Sequence, residues 1–293
     1  MPLTPKEYLD RYTTIVVKHP LDGTQVTTGL TGYGSGWGPE PGCNRKTLGP
    51  KAQQEFFALK TALQKHLSGG TGKLKPLPKE IYFKDQPLGN IPSLEAFYPI
   101  TLINSFVGKG SPDEIRDTLR LAIALGRIGG KRDKAGQAAG ASTIGEYMER
   151  FLTLDCNGLV GNYYGLNKIP NVSVGSYAVP ARCRKTMNDV RQGDCIVTHS
   201  KTRPYEHIAL VELWQVTENV PTKDMKGTVF AKIVEWGQAG GEEKHYTGAT
   251  AKTIKVGPGP EKAWGVGFDG ANGTYRYVFA PPPSFSEHNG WPD

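Results

Sequence analysis

The chain has 293 residues, of which 38% are hydrophobic and 22% charged, with a formal net charge of +7 and a pI of about 9.1. This composition indicates a globular protein of one or two domains and excludes a collagen-like or low-complexity chain. No stretch approaches the roughly 18 uninterrupted apolar residues of a membrane-spanning helix, so no membrane span is expected. The excess of positive charge favours an anionic partner.

The positive charges are dispersed along the chain. The densest cluster, residues 131–134, is interrupted by Asp133, and a solvated loop accounts for it better than a nucleic-acid site. No nucleic-acid partner is therefore predicted. The polar N-terminal sequence predicts no Sec-type signal peptide, so synthesis in the cytoplasm is expected, with export by a signal-independent route left open.

The first 140 residues are predicted to form a helical region with loops rich in glycine and proline. Thr4 and Glu7 form a capping box that opens a helix through Tyr12. Residues 51–66 have the apolar spacing of an amphipathic helix. A second capping box, Ser111 to Glu114, opens another helix, and a polar, glycine-rich stretch then predicts a linker or exposed loop.

Residues 141–293 are predicted to form the second region. Thr143 and Glu146 make a third capping box, for a helix through about Phe151. From Gly193 onward, short segments rich in β-branched and aromatic residues predict strands: CIVTH, HIALVELWQV, VFAKIVEWG and TYRYVFA. Helices followed by strands in one chain predict an α+β protein.

Cys156 is the candidate nucleophile. It follows the turn-forming Asp155 and precedes residues that can form a helix through Tyr164, which places the sulfur at a helix N-terminus. The exposed N–H groups and the helix dipole favour a thiolate there, and a thiolate is the reactive form of cysteine. The backbone N–H of Cys156 is also expected to face the oxyanion of an acyl intermediate. The alternative is a small buried apolar residue.

His207 is the candidate general base, because it stands at the first position of the predicted strand HIALV. Such a base needs an acceptor that orients its second ring nitrogen, and Glu235 on the next predicted strand can supply one. Gln238 and His245 are alternatives for this third position. His199 is the alternative base, but it ends a strand and enters a polar loop, which favours an exposed side chain.

The segments DCNGLV, QGDCIV and HIALVE resemble, in order and spacing, the motifs of the NlpC-type family of cell-wall cysteine peptidases. The resemblance covers roughly residues 143–248. It implies a papain-like α+β fold in which a helix carrying the nucleophile packs on an antiparallel sheet. It also implies that Cys156 is the nucleophile, that His207 is the base, and that Glu235 lies on or near the third polar position. No metal or organic cofactor is implied.

The chain departs from the family pattern near the nucleophile. Asn157 stands where the family has serine, and the family's Tyr-x-x-Gly-Gly stretch before the cysteine is missing, so the second oxyanion donor is not identified. Asp155, Tyr163 and Trp236 are predicted to contact substrate, with core packing as the alternative for the two aromatic residues.

Two of the remaining cysteines are assigned by their neighbours. Cys195, inside a predicted strand, is expected in the core. Cys183, between arginines and a lysine, is expected to be an exposed or half-buried thiol. The four cysteines contain no CxxC pair, so neither a zinc site nor a disulfide framework is expected.

Members of the resembled family cut amide bonds in peptidoglycan stem peptides, so a peptidoglycan peptide is the expected substrate. Members without a signal peptide act in phage lysis or phage tails, or as antibacterial effectors injected into the periplasm of a target cell. The effector interpretation is favoured, and it implies an immunity protein or a secretion-apparatus partner. Two alternatives stay open: a thiol acyltransferase, deamidase or transglutaminase-like enzyme on the same fold, and a non-catalytic binding or structural protein.

Overall fold

A computed structural model describes most of the chain's regular elements. The described residues are 3–18, 24–34, 52, 54–61, 102–124, 126–129, 141, 143–166, 173–200, 205–219, 227–237, 240–253, 265–269 and 274–283. Within them, helices and an antiparallel, curled sheet occur together, which confirms the predicted α+β class.

The chain forms two compact units. The sheet unit comprises Met1–Asp10, Cys156–Gly237 and Gly241–Asp293, and the helical unit comprises Arg11–Asp155 and Gln238–Gly240. The division predicted between residues 140 and 141 stays a prediction, because compactness does not establish that a segment folds independently.

Six α-helices lie in the described part of the chain: α1 (Pro5–Thr13), α2 (54–61), α3 (Ile103–Phe106), α4 (Pro112–Ala124), α5 (Ile144–Phe151) and α6 (Cys156–Tyr163). The described strands are β1 (Ile15–Lys18), β2 (Gln25–Thr28), β3 (Cys195–His199), β4 (His207–Asn219), β5 (Gly227–Gly237), β6 (Gly240–Thr253), β7 (Val266–Asp269) and β8 (Tyr275–Phe279). Three short 3₁₀ helices, Val174–Ser176, Pro180–Arg182 and Met187–Asp189, precede β3.

The predicted capping boxes set the starts of the helices. At α1, the Thr4 N–H donates to Glu7 Oε2 at 2.8 Å and the Glu7 N–H donates to Thr4 Oγ1 at 3.2 Å. Ser111 and Glu114 make the same reciprocal pair at α4, at 2.7 and 3.2 Å. At α5 the Glu146 N–H donates to Thr143 Oγ1 at 3.1 Å. These bonds satisfy backbone donors that have no partner inside the helix, so each helix begins where the sequence predicts.

The helical unit also contains a hairpin that the sequence analysis did not predict. Strands β1 and β2 pair antiparallel from Ile15 opposite Thr28 to Lys18 opposite Gln25. Val17 is fully buried whereas Val16 is exposed, which is the alternation of a half-buried strand. One face of helix α4 packs against β1 and is buried. The β-branched run at the start of β1 was the available signal for this hairpin.

The sheet unit is built on a six-stranded antiparallel sheet that closes on itself in the order β3-β4-β5-β6-β7-β8. Strand β3 pairs on one side with β4, from Cys195 opposite Leu210 to Thr198 opposite His207, and on the other side with β8. Alternate residues of these strands form one apolar cluster, which includes Ile196, Ala209 and Ile233. His207 and Glu235 occupy the next alternate positions of β4 and β5, so they lie at the edge of that cluster.

Helix α6 packs against β4 and β5 and is buried along its whole length. The Tyr164 hydroxyl, just after the helix, donates to the carbonyl oxygen of Gly193 at 2.6 Å. Gly193 has a φ of 84°, and a Cβ there would lie 3.3 Å from the Tyr163 hydroxyl, so the turn before β3 needs glycine. The hydrogen bond from Tyr164 to Gly193 fixes helix α6 against the sheet. None of the described helices has the length and apolar character needed to cross a membrane.

Candidate active site

Cys156 is the first residue of α6, as the sequence predicts. The residue is 5% exposed and is therefore buried. The first turn of a helix presents N–H groups that are not used inside the helix, together with the positive end of the helix dipole. Both features favour negative charge on the sulfur.

His207 lies between Cys156 and Glu235. It is the first residue of β4, and its side chain is 23% exposed. The side chains of Cys156 and Glu235 both lie close enough to the ring to act on its charge. Its Nε2 atom is 3.1 Å from Glu235 Oε2, which leaves Nδ1 as the nitrogen for Cys156. The three side chains therefore follow one another in the order expected for a nucleophile, a base and an orienting acceptor.

The position of His207 follows from the strand pairing. His207 lies opposite Thr198, the penultimate residue of β3, and the Glu206 N–H before it donates to the Thr198 carbonyl oxygen at 2.9 Å. These bonds hold the histidine at the end of the β3–β4 hairpin. Because α6 packs on β4 and β5, its first residue can reach an imidazole at that end of the sheet.

The charges of this cluster stabilise a protonated ring. Burial of His207 disfavours the imidazolium, but hydrogen bonds and charges from Cys156 and Glu235 outweigh burial and raise the pKa of His207 to about 10. Burial would raise the pKa of Glu235, but hydrogen bonds and positive charge from His207 and Lys244 outweigh it and lower the pKa of Glu235 to about 2. At neutral pH the cluster therefore contains an imidazolium beside a carboxylate.

Lys244 is a member of this cluster that the sequence analysis missed. Its Nζ atom binds Glu235 Oε1 and lies 3.0 Å from Glu242 Oε1. Burial lowers the pKa of Lys244, but the two glutamates outweigh burial and raise it. Glu242 and Lys244 lie on one face of β6 and Glu243 and His245 on the other, so all four side chains are polar and the sequence has no apolar alternation that would mark the strand.

The alternatives for the third position have different outcomes. His245 Nε2 is 2.7 Å from Glu243 Oε1, and its side chain is 55% exposed, so in this structure it does not orient His207. Gln238 lies outside the described residues. Glu235 is the residue that contacts the His207 ring.

His199, the alternative base, has a different environment. Its ring packs edge-on against Tyr205 and Tyr277, with centroids 4.7 and 5.0 Å away, so it is half-buried rather than exposed as predicted. Burial lowers the pKa of His199, and its Nε2 atom has no hydrogen-bond partner. His199 therefore lacks the carboxylate that His207 has.

The residues predicted to contact substrate are largely buried. Trp236 is fully buried, and Tyr163 is 4% exposed, packs edge-on against Tyr8 and donates from its hydroxyl to the Leu3 carbonyl oxygen at 3.2 Å. In the helical unit, both carboxylate oxygens of Asp155 accept hydrogen bonds from Lys109 Nζ, at 2.7 and 2.5 Å. Each residue has a packing role in its own unit, and substrate contact by any of them stays a prediction.

The other described cysteines are buried. Cys195 is fully buried in β3, which confirms the predicted core position. Cys183 is 3% exposed, so the prediction of an exposed or half-buried thiol was wrong. Burial raises the pKa of Cys183 to about 11 even though Lys185 lowers it, because desolvation of a thiolate outweighs one nearby cation.

Comparison with known proteins does not assign this chain to a family. No family model, curated protein or solved structure matches this chain. Within the described residues, no group of three or more histidine, cysteine, aspartate or glutamate side chains could hold a metal ion.

Proposed function

We propose that this protein is a papain-like cysteine hydrolase that cleaves amide bonds in peptidoglycan stem peptides. The observation that carries the proposal is the chain of contacts from Cys156, at the start of a helix, through His207 to Glu235. A helix bearing the nucleophile, packed on an antiparallel sheet that bears the base and its orienting residue, is the arrangement that the papain-like fold uses.

The proposed reaction is acyl transfer to water. The Cys156 sulfur, with its proton on His207, attacks the amide carbonyl carbon and forms a tetrahedral oxyanion. The imidazolium gives its proton to the leaving amine as the C–N bond breaks, which leaves a thioester on Cys156. His207 then takes a proton from water, and the resulting hydroxide attacks the thioester carbonyl. The carboxylic acid product leaves as the C–S bond breaks, which restores the Cys156 thiolate beside the imidazolium.

Glu235 has two effects in this proposal. Its carboxylate accepts the Nε2–H of His207 and so keeps Nδ1 directed at the sulfur. Its negative charge also stabilises the imidazolium until the proton passes to the leaving amine. The Cys156 N–H at the start of α6 is the proposed oxyanion donor.

Two features support a cell-wall substrate. The segments DCNGLV, QGDCIV and HIALVE resemble the motifs of NlpC-type cell-wall peptidases, and the net charge of +7 suits an anionic wall. On the same resemblance, we propose that the protein acts as an antibacterial effector or a phage lytic enzyme, for which an immunity protein or a delivery apparatus is the proposed partner.

The deciding experiment is digestion of purified peptidoglycan, followed by mass spectrometry of the soluble fragments. The wild-type protein is expected to release fragments whose stem peptides are shortened by hydrolysis, and Cys156→Ala is expected to release none. Cys183→Ala is the matched control, because it removes another buried thiol of the same unit that has no imidazole partner described.

The outcomes separate the remaining alternatives. Whole stem peptides joined to a new acyl acceptor or amine would replace the hydrolase with a thiol transferase. Glutamine or amide side chains converted to acids without backbone cleavage would indicate a deamidase. A Cys156→Ala protein that retains every activity of the wild type would reject cysteine catalysis.

A further inference from the structure

The sheet unit contains a cavity that shares no residue with the cluster of Cys156, His207 and Glu235. It is a cavity of about 350 Å³, which is at the lower end of the usual range for small-molecule sites. Its walls come from the 3₁₀ segments before β3 and from the residue after β8, and they comprise Ala181, Arg182, Cys183, Arg184, Lys185, Asp189, Arg191 and Ala280. We refer to it below as the basic cavity.

Four of these wall residues are cationic and one is acidic, so the basic cavity carries an excess of positive charge. Arg184 is neutralised, because its Nε and Nη2 atoms donate to the two oxygens of the fully buried Asp194 at 2.8 and 2.7 Å. The single acid of the wall, Asp189, caps its own 3₁₀ turn by accepting from the Thr186 N–H at 2.9 Å.

Two arginines are held in place by groups that do not cancel their charge. Arg182 Nη2 donates to the carbonyl oxygens of Ser176 and Tyr177 at 3.0 and 3.3 Å. Arg191 Nη1 donates to the carbonyl oxygens of Asn188 and Val190. Carbonyl oxygens are neutral acceptors, so both guanidinium groups are fixed in orientation and keep their full charge.

A second, independent observation concerns Arg182 alone. Its Nη1 atom is buried and has no hydrogen-bond partner. A buried donor on a charged group is unfavourable when it has no acceptor. An anion in the basic cavity would compensate the excess positive charge of its wall.

We propose that the basic cavity binds a phosphate group carried by a small molecule or by the end of a larger one. A phosphate offers three or four acceptor oxygens in a tetrahedron, so it can bind several cationic side chains that approach from different segments. A carboxylate offers two oxygens in one plane, which matches one guanidinium better than a cluster. Arg182 and Arg191 supply the fixed donors, and Lys185 adds a further positive charge at the wall.

The basic cavity is separated from His207 along the sheet. Its backbone neighbours are the start of β3 and the end of β8, since the Arg184 N–H donates to the Val278 carbonyl oxygen and the Ala280 N–H donates to that of Arg182. His207 pairs with Thr198, near the other end of β3. Phosphate binding is therefore proposed independently of the hydrolase reaction.

The test measures binding of inorganic phosphate and of glycerol 3-phosphate to Cys156→Ala protein by isothermal titration calorimetry. The ionic strength is kept constant with chloride. Both probes are expected to bind. Arg191 and Lys185 are exposed residues of the wall. The double variant Arg191→Gln and Lys185→Gln is expected to bind both probes at least tenfold more weakly. Lys232→Gln, which removes one positive charge elsewhere in the same unit, is the matched control and is expected to leave binding unchanged.

Three results would overturn the proposal. The first is binding that Lys232→Gln weakens as much as the cavity variants do, since this would indicate general surface charge. The second is an equal heat from chloride alone. The third is association with phosphatidylglycerol vesicles without binding of either soluble probe, which would indicate a membrane-facing charged surface in place of a phosphate pocket. If the circular dichroism spectrum of the double variant is unchanged, a loss of binding is due to the wall residues and not to unfolding.

Discussion

Each compact unit contains a buried glutamate that is paired with a cation, and the two pairs differ in what the cation can do. In the helical unit, Glu55 is 3% exposed and accepts from both Nε and Nη2 of Arg127 and from the Tyr147 hydroxyl. In the sheet unit, Glu235 is 6% exposed and is paired with His207 and Lys244.

The difference lies in proton exchange. Arginine keeps its proton under all ordinary conditions, and burial and Glu55 raise the pKa of Tyr147 well above its usual value. Arg127 and Tyr147 therefore hold Glu55 in place without exchanging a proton near neutral pH. Histidine has a second ring nitrogen, and in the sheet unit that nitrogen is available to a thiol. The same acid therefore fits a structural role in one unit and an orienting role in the other.

The largest expected effect is the loss of the nucleophile. Cys156→Ala is expected to lower kcat/KM for amide hydrolysis by about 10⁴-fold or more, because the acyl-enzyme cannot form. The free energy of unfolding is expected to change by no more than about 1 kcal/mol, because only one sulfur atom at 5% exposure is removed. Activity is measured by fragment release and stability by urea denaturation. Activity retained within tenfold would contradict the proposed nucleophile.

The second prediction concerns the orienting carboxylate. Glu235→Gln is expected to lower kcat/KM by about 10²- to 10³-fold with little change in KM, because the amide neither stabilises the imidazolium nor fixes its tautomer. The alkaline limb of the activity profile is expected near pH 10 in the wild type and at lower pH in the variant, because Glu235 is one of the groups that raise the pKa of His207. An unshifted alkaline limb would show that Glu235 does not act on His207.

The same pair makes a prediction about stability. His207 has its pKa raised from 6.5 to about 10, so its stabilising effect is complete below about pH 6.5 and is lost as the pH rises through 10. Glu235 has its pKa lowered from 4.5 to about 2, so its effect is complete above about pH 4.5 and is lost as the pH falls through 2. The stability lost in Glu235→Gln is therefore expected to be greatest between about pH 4.5 and 6.5. Urea denaturation across the pH range tests this, and a pH-independent loss would refute it.

The Glu55 cluster gives the matching change in the helical unit. Glu55→Gln is expected to lower the free energy of unfolding by about 2–3 kcal/mol, because Arg127 loses its counter-charge while partly buried. Activity per folded molecule is expected to stay at the wild-type level. Denaturation combined with an activity assay on the folded fraction measures both. If Glu55→Gln were fully folded and still lost most of its activity, the role of Glu55 would not be purely structural.

The smallest effect is expected at Lys244. Its side chain is 41% exposed, so Lys244→Gln is expected to lower kcat/KM by only about two- to fivefold, in line with the small energies of exposed ion pairs. Glu235 keeps His207 as a partner in this variant. A loss as great as that of Glu235→Gln would mean that the lysine, and not the imidazole, holds the carboxylate in place.

The sequence was informative where local chemistry determines local structure. The capping pairs at Thr4, Ser111 and Thr143 act within one helical turn, and each helix begins as predicted. The sequence also predicted that Cys156 begins a helix and that His207 and Glu235 lie on successive strands, because the strands are marked by β-branched and aromatic runs. The hydrogen bond between His207 and Glu235 follows from the pairing of the strands that carry them.

Features that depend on distant segments could not be read in this way. The polar strand β6 gave no apolar run to mark it, and Lys244 was missed with it. Cys183 was predicted to be exposed or half-buried from its charged neighbours, but it forms a β-bridge with Phe279 and is buried. The basic cavity likewise brings together residue 191 and residue 280, whose proximity follows from closure of the sheet.

Strand β6 has a consequence for any attempt to redesign this protein. Lys244 meets Glu235, whereas the adjacent Glu243 lies 3.7 Å from Lys232 and bonds to His245. A slip of β6 by one residue that replaced Lys244 with His245 beside Glu235 would also move Glu242 into the position of Gly241. Gly241 opposes that slip, because a Cβ there would lie 2.5 Å from Leu9 and 2.6 Å from Trp236. A glycine with no chemistry of its own thus helps to determine which side chain meets the carboxylate that binds the imidazole.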